Sequence, residues 1–191
     1  MKTILAFDTA TSFGAVCGLA AGPRARADRA GDLLLAIDEL IDDPRALEGI
    51  VVGRGPGSFT SIRIGLAVAR SLAFALDLPV AGASTLDAYD GATPVLDAKR
   101  GEVFTLGPHT CKPHELDVAG QTLVGDGAVR YRDLFEAQGA TVPPDDDEAH
   151  IPDPRLLIER AGLFVAGGRQ VTFTPRRDVL RLFARGNRQS S

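Results

Sequence analysis

The stretch GRGPGSFTSIRIG, Gly53–Gly65, decides how this chain is read. Glycines at 53, 55 and 57 and a proline at 56 fall within five residues, and an apolar helical pattern begins at once. Such a loop either cradles an anion at a helix N-terminus or turns the chain sharply from a strand into a helix. Two specific phosphate motifs are excluded by spacing. G-x-x-x-x-G-K-[ST] needs a lysine where this loop continues into SFTSIR, and G-x-G-x-x-G fails because Pro56 and Gly57 follow Gly55. Arg54 and Arg63 are in sequence range to assist an anion. The residues alone leave both readings open.

Working outward, LEGIVVG before the loop predicts a buried strand centred on Ile50–Val52. The residues after it predict a helix over Ser58–Leu76, with Ser58 as cap and Pro79 beyond its end. At 100° per residue Ile62, Ile64, Leu66, Val68, Ala69, Leu72, Ala73 and Leu76 cover an arc of about 200°, roughly twice what one sheet face requires. The helix therefore needs a second partner besides its own sheet, either another helix of this chain or another subunit. Arg63 and Arg70 share the opposite margin.

Upstream, TILAFDTATSFGAVCGLA predicts a hairpin: a strand over Ile4–Phe7, a hydroxyl-rich turn over Asp8–Ser12 and a return strand over Gly14–Leu19. Residues 21–31 read as polar and irregular. A helix is expected over Leu33–Ile41, capped by Asp32 and ended by Asp42–Pro44. Downstream, short strands are expected at Pro79–Ala83, Pro94–Asp97 and Glu102–Leu106, then strand, glycine turn and helix over 121–139, a loop over 142–154 and a helix over Pro154–Ala166. The order β-β-α-β-α-β followed by a thinner half predicts an α/β protein of two lobes, 1–92 and 93–184, with a disordered tail over 185–191.

Composition limits the function classes. The 191 residues carry a net charge of −4, which gives no global basic footprint for nucleic acid. Two cysteines make no disulfide framework, and the apolar N-terminal run is too short for a signal peptide or a membrane span, so the expected location is the cytoplasm, with no membrane contact. His109, Cys111 and His114 lie close together but lack a fourth ligand or an H-x-x-x-H pair, so no metal site is expected. Asp145–Glu148 lacks calcium-loop spacing. Asp97, Lys99, Arg100 and Glu102 decorate a turn, and no nucleophile elbow is present. Asp8 and Thr9, at the hairpin tip, are further candidates for contact with a nucleotide phosphate, and they also suit a plain side-chain-capped turn.

Five segments in order, ILAFDTATSFGAV, GRGPGSFTSIRIGLAVARSLA, LPVAGASTLDA, LDAKRGEVF and LVGDGA, resemble the TsaB family, also called YeaZ, of bacterial tRNA threonylcarbamoyladenosine biosynthesis. TPRRDVLR near the end is faintly similar to that family's C-terminal segment. The resemblance implies the actin-like, sugar-kinase-like ATPase fold of two ribonuclease-H-like lobes, the second reduced here. It implies an accessory role: no catalytic residues of its own, binding and activation of TsaD, association with TsaE, contact with tRNA only through the complex, and a homodimer when alone. It implies no required cofactor and at most weak ATP or ADP binding. Family dimers use their first two helices, which places partner-binding residues at Leu33, Leu34, Ile37, Ser58, Phe59, Ile62, Arg63, Leu66 and Arg70. The alternative is a stand-alone ATPase or phosphotransferase of the same fold, with Gly125–Ala128 as its second phosphate loop. This chain has Ser61 where the family has glycine, and its short 19–33 stretch predicts a missing or reduced third strand.

Overall fold

A computed structural model describes residues 3–107 and 109–161. The C-terminal TPRRDVLR segment, residues 162–166 of the last expected helix and the 185–191 tail lie outside the described residues.

Strands β1 (Ile4–Asp8), β2 (Ala15–Leu19) and β3 (Arg24–Ala27) form an antiparallel meander. Helix α1 (Leu33–Leu40) leads to β4 (Gly49–Gly53), α2 (Phe59–Ala75) and β5 (Val80–Ala83). β4 lies parallel to β1 and β5 parallel to β4, so the sheet order is β3-β2-β1-β4-β5. β1 and β4 are buried along their whole length, as continuous apolar runs in a two-sided sheet must be. Alternation divides their side chains between two cores. Leu5, Phe7, Ile50 and Val52 pack under α1 and α2 with Leu33, Ile37, Ala69 and Ala73, whereas Ile4, Ala6 and Val51 face the other way.

The third strand is present, contrary to the expectation from sequence. RARA alternates arginine outward and alanine inward, with Ala25 and Ala27 against the α1 side. As an edge strand it buries little, and its arginines protect the open edge. A polar composition therefore concealed a regular strand. Asp32 also departs from expectation: it belongs to a 3-10 turn, Ala30–Asp32, and its side chain caps nothing. Ser58 does cap α2, accepting from the Ser61 amide.

The second half contains β6 (Thr93–Pro94), β7 (Leu96–Lys99), β8 (Glu102–Thr105), β9 (His109–Cys111) and β10 (Leu123–Val124), then α3 (Asp126–Arg130) and α4 (Arg132–Ala137). β7-β8-β9 is antiparallel, β10 runs parallel to β6, and Thr141 forms a single parallel bridge to Thr122. With β6 and β7 taken as one strand interrupted at Val95, and Thr141 as a one-residue fifth strand, the first sheet's order recurs in reduced form. Phe135, Val95, Val103 and Leu123 fill this half's own core.

The chain then returns. Helix α5 (Pro154–Arg160), which a 93–184 division groups with the second half, sets Leu157 and Ile158 against Ile4, Ala6 and Val51 of the first sheet. Both faces of that sheet are thereby covered. Among the described residues no helix is long and apolar enough to cross a membrane.

Candidate functional site

Two regions compete for the role of functional site: the cleft between the lobes, where the phosphate-loop candidates lie, and the outer face of α1 and α2.

In the cleft, Asp8 ends β1 and is 1% exposed. Its Oδ1 accepts from the Ala10 amide at 2.7 Å and its Oδ2 from the Thr85 hydroxyl at 2.6 Å. Gly53 makes room for it, since a Cβ there would lie 1.7 Å from Asp8 Oδ2. Burial pushes the Asp8 carboxyl above its ordinary value, the two hydrogen bonds oppose this, and the Asp126 charge adds to it.

The glycine loop wraps the hairpin tip. The Arg54 amide donates to the Ala83 carbonyl, the Gly55 amide to Thr85 Oγ1 at 3.1 Å and the Ser58 amide to the Ala10 carbonyl at 2.7 Å. The Thr9 hydroxyl donates to the Ser61 carbonyl at 2.7 Å. Gly57, at φ 148°, and Gly65 leave space for this contact: a Cβ on Gly57 would lie 2.3 Å from the Ala10 oxygen, and one on Gly65 2.6 Å from Thr9 Oγ1. The loop is a socket for the strand turn, and its engaged donors point at protein.

The second loop, Gly125–Ala128, is engaged in the same way. Amides of Gly127 and Ala128 both donate to the Val95 carbonyl, at 3.0 and 3.2 Å. The Gly125 amide donates to Nδ1 of His150 at 3.2 Å, which leaves the imidazole proton on Nε2 to donate to the Pro143 carbonyl at 3.0 Å. His150 is fully buried. The Asp126 carboxylate bridges the lobes, accepting from the Ser12 amide at 2.8 Å and the Asp97 amide at 3.0 Å. Asp97 in turn holds Lys99 Nζ at 2.8 Å and Arg130 Nη1 at 3.1 Å. Burial tends to raise its pKa, but the Lys99 hydrogen bonds and charge, with Arg130, hold the carboxyl below its ordinary value. Among the described residues, no group of three or more His, Cys, Asp and Glu is placed to hold a metal.

The outer face has the opposite character. The exposed large hydrophobics among the described residues are Leu34 at 53%, Leu35 at 66%, Phe59 at 73%, Phe74 at 89% and Leu106 at 54%. All but Leu106 lie on α1 or α2. Phe59, Arg63, Ala67, Arg70 and Phe74 form one exposed stripe along α2, and the Arg63 guanidinium stacks 5.3 Å over the Phe59 ring. α2 carries no acidic residue and α1 no basic one, with Asp38 and Glu39 exposed on α1.

A scan of family descriptions matches residues 30–136 to "TsaD: tRNA N6-adenosine threonylcarbamoyltransferase". Proteins named "tRNA threonylcarbamoyladenosine biosynthesis protein TsaB" are among the relatives. The one from Bacillus subtilis is 40% identical over 82 residues, which cover 37% of this chain and 36% of that protein. The structure superposes on "YeaZ from Pseudomonas aeruginosa" with a TM-score of 0.67 and 26% identity, covering 85% of this chain and 91% of that one. The chain belongs to the TsaD family, on its TsaB (YeaZ) branch. An uncharacterized protein of Mycobacterium tuberculosis is 32% identical over 163 residues, 71% of this chain and 76% of that protein. The matched segment thus spans about a third of the B. subtilis TsaB and about three quarters of the mycobacterial relative. The mixed α/β architecture with its 3-2-1-4-5 sheet is the actin-like, ribonuclease-H-like fold of this family.

The TsaB-like partner residues read from sequence divide into three groups. Leu33 and Ile37 are core, 0% and 7% exposed, and have little surface to offer a partner. Ser58, Ile62 and Leu66 are half-buried; Ser58 is a cap, and Ile62 covers the glycine loop, its Cδ1 2.6 Å from where a Gly55 Cβ would sit. Leu34, Phe59, Arg63 and Arg70 are exposed. Sequence reasoning missed Leu35 and Phe74. The available signal was a run of three leucines too wide for one sheet face, and a second phenylalanine fifteen positions after Phe59 on the side opposite the apolar arc.

Proposed function

We propose that this chain is a non-catalytic partner subunit that binds and activates a TsaD threonylcarbamoyltransferase in tRNA threonylcarbamoyladenosine formation, docking through the outer face of α1 and α2. The observation that carries this is that four of the five exposed large hydrophobics among the described residues, Leu34, Leu35, Phe59 and Phe74, lie on these two helices. Soluble proteins seldom leave such side chains together without a partner. Charge segregation supports a related helix pair as that partner. An α2 bearing only arginines and an α1 bearing only acids complement a second such pair set against them in the reverse order. A second copy fills that role when the chain is alone, TsaD when it is present, and TsaE joins that pair. Contact with tRNA then comes through the complex, in the cytoplasm.

The engaged amides of both loops count against a stand-alone ATPase or phosphotransferase, because the donors a phosphate would use already hold protein carbonyls, Thr85 and His150. Size-exclusion chromatography with light scattering, on the chain alone and mixed with TsaD of the same organism, tests the proposal. The expected result is a dimer alone, a heterodimer in the mixture, and faster threonylcarbamoyl transfer by TsaD. A monomer indifferent to TsaD that hydrolyses ATP would overturn it.

A further inference from the structure

We propose that the Asp126 carboxylate is a built-in anion that clasps the two lobes and, through the hairpin tip, sets the first turn of α2, so that the clasp positions one end of the partner face. The last clause rests on the function proposed above; the coupling itself does not.

The path is continuous and short. Asp126 opens α3 in the second lobe, and its two oxygens accept from Asp97 of the same lobe and from Ser12 at the hairpin tip of the first. From Ser12 the tip runs back through Thr11 to Ala10 and Thr9. Ala10 accepts the Ser58 amide and Thr9 donates to the Ser61 carbonyl, both in the capping turn of α2. Ser58 itself accepts from the amides of Ser61 and Ile62. Gly57 and Gly65 hold the tip with no room for a side chain between tip and helix. Phe59 and Arg63, the start of the exposed stripe, stand on this turn.

The chemistry of the clasp is that of a ligand site turned inward. A hairpin tip of this kind offers backbone amides to an anion. Here the anion is a side chain of the facing loop, and the bond it makes to Ser12 is charge-assisted. Ser12 is exposed and Asp126 half-buried, so competing anions and substitutions reach the clasp without dismantling either core. Asp8, whose carboxyl feels the Asp126 charge, lies behind the same tip.

Amide hydrogen exchange on the full chain tests this. Asp126→Ala is compared with wild type and with Phe135→Leu, a change in the second lobe's core that lowers stability without touching the clasp. The expected result is about tenfold faster exchange at Ser12, Ser58 and Ile62 in Asp126→Ala alone, within the range of ordinary coupling between sites. Unchanged exchange at Ser58 and Ile62, or an equal rise in Phe135→Leu, would overturn the coupling. Asp126→Asn, which keeps one acceptor, is expected to give an intermediate rise, and carries the same comparison if Asp126→Ala does not fold. With TsaD, Asp126→Ala is expected to bind about tenfold more weakly; binding equal to wild type would overturn the link to the partner face. Failure of wild type itself to bind TsaD contradicts the proposed function and leaves the exchange comparison to decide the coupling.

Discussion

The cleft and the outer helical face differ in a way that inverts first impressions. The cleft holds the residues that look chemical: two glycine loops, Asp8, Asp97, Asp126 and a buried histidine. Their hydrogen bonds run to one another and to the backbone, and even the asparate-bearing turn after β10 uses its amides to hold Val95. The outer face holds leucine and phenylalanine side chains with no chemistry of their own, and these are the groups left facing solvent. Polar atoms with satisfied partners mark structure, whereas apolar surface without a cover marks a contact still to be made.

The largest way to break this contrast is Gly53→Ala. If the cleft is structural, a methyl placed 1.7 Å from a buried carboxylate oxygen costs about 3 kcal/mol, seen as a lower urea midpoint. A neutral effect would mean that Asp8 is free to move. Next comes the face. Phe59→Asp combined with Phe74→Asp is expected to weaken pairing about 100-fold, while the stability of the monomer stays within about 0.5 kcal/mol because both rings are exposed. Ile62→Asp sharpens the boundary between the regions. Half-buried over the glycine loop, it is expected to destabilise the chain by about 2 kcal/mol, so loss of pairing there would report unfolding as much as contact.

Acidity separates the two cleft carboxyls. Asp8 has a folded pKa above its ordinary 3.8, so the stability it contributes is full below that value and declines as pH rises, because the unfolded chain ionises first. Asp97 is depressed, so its contribution is full above 3.8 and is lost as pH falls through the folded value. Asp8→Asn and Asp97→Asn are expected to remove slopes of opposite sign from stability measured between pH 3 and pH 7. The smallest effect is Arg63→Ala, which removes an exposed stacking contact on Phe59 and is expected to change thermal stability by about 0.5 kcal/mol.

Much of the fold was legible because its signals are local. Continuous apolar runs gave β1 and β4, and the cap at Ser58 gave the start of α2. β3 was not legible, since alternating arginine and alanine on an edge strand resembles a loop until its neighbour is known. The site was legible in part. The apolar arc of α2 was expected to need a second partner, yet its Leu66, Val68, Leu72 and Leu76 pack against the chain's own core; the exposed stripe runs along the opposite side, where only Phe59, Arg63 and Arg70 were read from sequence, because the faces cannot be divided from sequence alone. Leu33 and Leu34 are adjacent and chemically identical, and only the sheet beneath decides that the first is core and the second surface. The Asp126–Ser12 clasp joins residues 114 positions apart, a pairing that no local pattern encodes.

Isothermal titration of TsaD into the wild-type chain and into the Phe59→Asp, Phe74→Asp variant tests the central claim most directly. The account predicts a saturating heat for wild type, and none at the same concentrations for the variant, with the variant melting cooperatively as a folded monomer. Equal binding by the two would contradict it, and would return the search for function to the cleft.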